Sequence, residues 1–236
     1  MRHLIACGLA LLLVQCAATA AADGMFSRNA KSISFGEFAT SSDGRTTVAV
    51  ATLDDVDNDN AFPAVLRVQV GEHRFERRFD FGLNVEILWS PDPNRFAITG
   101  SATGANGQYR TAIVAVTPSG LIWFDVTPIA EKAFGHPVKC GWPEVPNVGT
   151  VKWLSTTQLV VAAEIIDHSN CDSFGTFVAY SIRTGSNRVD GVYPQLEAKR
   201  RWGSDLGREL AKAPDGCIRN PKSCYVPANH PELNAR

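Results

Sequence analysis

Three aspartates alternate in the run Asp54-Asp55-Val56-Asp57-Asn58-Asp59-Asn60: Asp55, Asp57 and Asp59. Hard carboxylate oxygens at positions 1, 3 and 5 of a loop suit Ca²⁺. A helical calcium loop would continue with Gly at position 6 and Glu at position 12, where this chain has Asn60 and Leu66. The other reading of the run is a solvated acidic hairpin loop. A second cluster joins His136 and Cys140 to His168 and Cys171. Two His and two Cys can hold zinc in a tetrahedron, but the spacings are looser than paired CxxC motifs. The same cysteines can instead form a disulfide.

The chain has no G-x-S-x-G nucleophile elbow, no HExxH, no P-loop and no GxGxxG. Asp167-His168-Ser169 sets three triad residue types side by side, yet adjacent side chains seldom face one another, so the segment reads as a polar loop. A hydrolytic site would have to be assembled from distant loops, with Asp92, His136, Asp167 and His168 as its first candidates. Trp89, Trp123 and Trp153 fall on apolar strands and read as core. Trp142, within Cys140-Gly141-Trp142-Pro143, could be presented by a loop.

The elements that would position these residues repeat three times. The first unit runs Ser41-Ser42-Asp43-Gly44-Arg45, Thr47–Thr52, a polar loop over Asp54–Asn60, then Ala64–Val70. The second runs Val85–Trp89, Ser90-Pro91-Asp92-Pro93, Phe96–Gly100, a loop over Ala102–Gln108, Thr111–Val116 and Leu121–Val126. The third runs Val151–Ser155, Gln158–Ala163, a loop over Asp167–Ser173, then Thr176–Ile182. Each has a short strand ending in a turn, a strongly apolar strand, a polar hairpin loop and a returning strand. The strands are β-branched and aromatic, bounded by Gly, Asp, Asn and Pro. Their recurrence at a spacing of several tens of residues suits four-stranded units with uneven loops.

Trp89-Ser90-Pro91-Asp92-Pro93-Asn94-Arg95-Phe96-Ala97 resembles the W-S-P-D-G-x-x-hydrophobic signature of TolB-like and WD40-like β-propeller blades. Asp43-Gly44 and Trp153 keep different halves of that pattern, while Pro93 replaces its Gly and Thr40 its Trp. The resemblance covers residues 32–192. It implies an all-β fold of three propeller-blade-like antiparallel sheets. A closed propeller has four or more blades, so a β-sandwich is the alternative. Pro194 to Trp202 carries helix formers after a Pro, and Ser204-Asp205-Leu206 reads as a cap for a second short helix ending near Ala213-Pro214.

The start of the chain reads as a cleavable signal peptide over residues 1–22. Arg2 precedes the apolar run Leu4–Val14, and both Ala18-Thr19-Ala20 and Ala20-Ala21-Ala22 fit a cleavage site. Leu13-Val14-Gln15-Cys16 offers the alternative of a lipid anchor on Cys16, although Gln15 stands where a lipobox has a small residue. Removal of residues 1–22 takes away Arg2 and no acid, moving the formal charge from −1 to −2. Such a chain gives no electrostatic reason to bind nucleic acid. No later run is apolar over the length of a transmembrane helix.

Export to the periplasm or beyond turns Cys140, Cys171, Cys217 and Cys224 into two expected disulfides. Three connectivities are possible. Cys140–Cys171 with Cys217–Cys224 is preferred, because the second pair closes a small loop in a tail with little else to hold it. Each bridge would contribute about 2–4 kcal/mol. The expected organisation is therefore a signal over 1–22, a β-repeat domain over 23–192, and a helical, disulfide-stapled tail over 193–236. The expected function is a non-catalytic binding module, with a protein partner or self-association. A secreted hydrolase and a calcium-stabilised accessory protein are the competing readings.

Overall fold

Runs of β-branched and aromatic residues become strands throughout the computed structural model, which describes residues 24–53, 63–102, 108–135, 145–165 and 175–214. The fold is all-β, in three antiparallel sheets. The first sheet is a meander of β2 (Phe38–Thr40), β3 (Thr46–Thr52), β4 (Ala64–Val70) and β5 (His73–Phe79). The second contains β6 (Leu83–Trp89), β7 (Arg95–Ser101), β8 (Tyr109–Thr117) and β9 (Gly120–Asp125). A short N-terminal strand, β1 (Lys31–Ile33), is added beside β6. The third contains β10 (Asn147–Trp153), β11 (Gln158–Glu164), β12 (Phe177–Arg183) and β13 (Val189–Pro194).

The three units of the sequence are these three meanders, and their first turns share one bonding scheme. Ser41 N–H donates to Thr46 O at 2.9 Å, Ser90 N–H to Arg95 O at 3.0 Å, and Leu154 N–H to Gln158 O at 2.8 Å. A side-chain oxygen braces each turn. Asp43 accepts from Ser41 Oγ and the Arg45 amide, Ser90 Oγ accepts from the Asp92 amide, and Ser155 Oγ accepts from the Thr157 amide. Those bonds, with Ser41 the largest contributor, hold the Asp43 carboxyl below its ordinary range. Asp92 has the same bracing role, accepting from the Asn94 amide at 3.0 Å.

The second sheet buries both faces, which follows from its near-continuous apolar strands. Along β7, Phe96 and Ile98 face the first sheet, packing with Val48, Leu66 and Val68. Ala97 faces the third sheet, as do Leu88 and Ile113, and packs with Leu159, Val161 and Tyr180. A seam of buried threonines crosses the second junction, the one between the second and third sheets. Thr99 and Thr111 hydroxyls lie 2.8 Å apart, and Thr111 Oγ1 donates to Val148 O at 2.7 Å. Trp153 spans the same junction, its indole N–H donating to Leu88 O at 3.1 Å. The repeat-related Trp89 packs edge-on to Phe96, but its buried indole N–H finds no acceptor among the described residues.

Among the described residues, three helices fill in around the sheets. The α1 helix (Thr127–Phe134) has Pro128 in its first turn and buries Ala130 and Phe134 against the second junction. The α2 helix (Gln195–Trp202) and the short α3 helix (Arg208–Lys212) cover the far face of the third sheet through Ala198, Trp202 and Leu210. The expected cap at Ser204–Leu206 is not one. Leu206 pairs instead with Ser27 in a β-bridge, and α3 begins after Gly207. Among the described residues, no helix is long and apolar enough to cross a membrane.

Candidate functional site

Antiparallel pairing divides the connections between two rims. Thr46 faces Val70, which faces His73, so the β4–β5 hairpin and the Ser41–Arg45 turn lie on one rim. The Ser90–Asn94 turn and the β8–β9 hairpin occupy the same position in the second unit. On this rim the first and second sheets diverge around a surface cavity of about 330 Å³. Val70, His73 and Phe75 form its wall from the first sheet; Asn94, Val116, Thr117 and Pro118 form the wall from the second.

The local sequence explains this shape. Gly71, at φ 57°, permits the tight β4–β5 reversal that brings His73 back beside Val70. His73 and Phe75 alternate onto one face of β5, with ring centroids 6.5 Å apart and nearly parallel planes. Across the cavity, the Val116 amide donates to Asn94 O at 2.8 Å and fixes the turn against the strand end. Thr117 Oγ1 donates to Gly120 O at 2.8 Å and closes the hairpin that carries Pro118. The result is an apolar recess with an imidazole, an amide and a hydroxyl around it. It can take an apolar side chain and hydrogen-bond the polar groups beside it. Among the described residues, no carboxylate lines it.

The other chemically unusual cluster lies beneath the N-terminal segment. Residues 24–33 form a strap between the second sheet, the third sheet and the tail. Ser27 Oγ donates to Val151 O at 2.6 Å, and the Gly207 and Glu209 amides donate to Phe26 O and Met25 O. Phe26 is fully buried and sits on Gly149, where a Cβ would land inside its ring. Glu86, 1% exposed, accepts hydrogen bonds from the amides of Met25 and Phe26. Burial is the largest influence on its carboxyl and pushes the pKa up, against the pull of those amides, Arg208 and Ser32. Tyr109 is likewise pushed up by burial; its hydroxyl accepts from Asn84 Nδ2 at 3.2 Å and lies 3.1 Å from Met25 Sδ. Asn84 takes a left-handed φ of 50° where β6 shifts register between Leu83 and Glu86.

Among the candidates read from sequence, Asp92 lies on the turn rim as a brace of its turn. Asp55, Asp57 and Asp59, the cysteines Cys140, Cys171, Cys217 and Cys224, and His136, Trp142, Asp167 and His168 fall outside the described residues, as does Cys16. The strand ends that bracket 54–62, 103–107 and 166–174 all belong to the rim opposite the cavity. Among the described residues, no group of three or more His, Cys, Asp or Glu gathers as a metal site. Sequence reasoning missed both the His73–Phe75 wall and Glu86. The one available signal for Glu86 was a lone carboxylate inside Val85-Glu86-Ile87-Leu88. No protein-family model, curated protein or solved structure matches the chain.

Proposed function

We propose that the chain is an exported, non-catalytic binding module that takes an apolar side chain of a protein partner into the cavity between its first and second units. The cavity is the observation that carries this reading: Val70, Phe75, Val116 and Pro118 supply apolar wall, while His73, Asn94 and Thr117 stand where they can bond a peptide backbone. Both walls rest on sheet strands and braced turns rather than on long loops, which lowers the ordering cost of binding. Export rests on the signal-like residues 1–22.

The test is selection of displayed peptides on the protein lacking residues 1–22, followed by chemical-shift mapping of the selected peptide. The expected result is a shared apolar or aromatic residue among the peptides, with shifts concentrated at His73, Phe75, Asn94 and Val116. Peptides that shift only residues of the opposite rim would overturn the assignment of the site.

A further inference from the structure

We propose that the strap over residues 24–33 is a proton-linked latch, with Glu86 coupling its docking to pH. The strap itself seals Glu86 from water. Its Met25 and Phe26 amides sit on the two carboxylate oxygens, and a Cβ on Gly24 would lie 3.1 Å from both. Sealing of this kind couples position to protonation. With the strap lifted, Glu86 is a hydrated carboxyl with an ordinary affinity for protons; with it docked, the charged form loses hydration.

The groups facing Glu86 do not remove that coupling. Ser32, on β1, donates to it, and Arg208, on α3, attracts the carboxylate from a largely exposed side chain. Arg208 is also drawn to Glu209, 3.7 Å away. Tyr109, on β8, carries a phenol that is neutral at physiological pH, and burial pushes its pKa further up. Asn84, on β6, is occupied with the Tyr109 hydroxyl. Burial outweighs the favourable partners, so docking takes up a proton and the latch tightens as pH falls.

Release has a structural consequence. The Gly207, Arg208 and Glu209 amides lose their strap carbonyls, Phe26 leaves its seat on Gly149, and β6 loses β1 as its neighbour on one side. A freed β6 edge is a template for a partner strand.

The experiment is amide hydrogen exchange on the protein lacking residues 1–22, between pH 5 and pH 8 and corrected for intrinsic rates. It reads Met25, Phe26, Gly207 and Glu209. The opening constant at these amides is expected to rise with pH, by at most about tenfold per pH unit for one linked proton. In Glu86→Gln the rise is expected to vanish. A flat opening constant in the unmutated protein, or the same rise in the variant, would overturn the proposal. So would strap amides that exchange only through global unfolding. If Glu86→Gln does not fold, the side-chain carbon resonance of Glu86 in the unmutated protein decides. A titration midpoint above the ordinary glutamate range, shared by the Met25 amide, supports the latch; an ordinary midpoint overturns it.

Discussion

The contact between Phe26 and Gly149 permits a quantitative test of whether the strap belongs to the core. Phe26 is fully buried, lies edge-on to Tyr109 at 5.2 Å, and covers the one position of β10 that has no side chain. Phe26→Ala removes a buried aromatic and should cost about 3–5 kcal/mol. Gly149→Ala places a methyl group inside the ring and should cost about 1–3 kcal/mol through overpacking. The two costs should not add. With Phe26 gone, the methyl group introduced on β10 enters the vacated space, so Gly149→Ala in the Phe26→Ala background should be neutral or stabilising. The coupling is thus expected at about 1–3 kcal/mol. Urea unfolding followed by tryptophan fluorescence measures all four proteins. Costs that sum to within about 0.5 kcal/mol would refute the packing, because they would mean the two residues do not touch. A cost below about 1 kcal/mol for Phe26→Ala would refute burial of the strap as a source of stability.

Other outcomes follow from the same junctions. Trp153→Phe loses the bond to Leu88 O and should destabilise by about 1–2 kcal/mol, whereas Trp89→Phe removes a buried N–H without an acceptor among the described residues and should cost less; equal losses in urea unfolding would contradict this. Thr111→Val removes the bond to Thr99 within the second sheet and the bond to Val148 O across to the third, and should cost about 1–3 kcal/mol, read from the same unfolding midpoint. Intact mass of the exported protein should be lower by one hydrogen for each of Cys140, Cys171, Cys217 and Cys224, with no metal adduct. An unchanged reduced mass would overturn the disulfide expectation.

Much of the fold was legible because the second and third units are strongly patterned. Phe96-Ala97-Ile98 and Leu159-Val160-Val161 are apolar on both faces, as strands packed between two layers must be. The strand β5 was not legible. His-Arg-Phe-Glu-Arg-Arg-Phe has the alternation of a strand only at Phe75 and Phe79, and its charges suit an exposed edge. Arg67, Arg74 and Glu76 form exposed ion pairs there, and Arg74 is the main reason the Glu76 carboxyl lies below its ordinary range. The strap was hidden for a different reason. Gly24-Met25-Phe26-Ser27 carries little local signal, and its position is fixed by partners about 60 to 180 residues away in sequence. The cavity was hidden likewise, since His73, Asn94 and Pro118 meet only when the units pack side by side.

Site-specific photocrosslinking in the producing cell tests the binding role most directly. A photoreactive residue at Phe75 or Pro118, on the two walls of the cavity, is compared with one at Leu196, an exposed position on α2. The same discrete protein adduct from both cavity positions, absent at Leu196 and lost on filling the recess with Val116→Trp, is the predicted result. No adduct at the cavity, or the same adducts at all three positions, would contradict it.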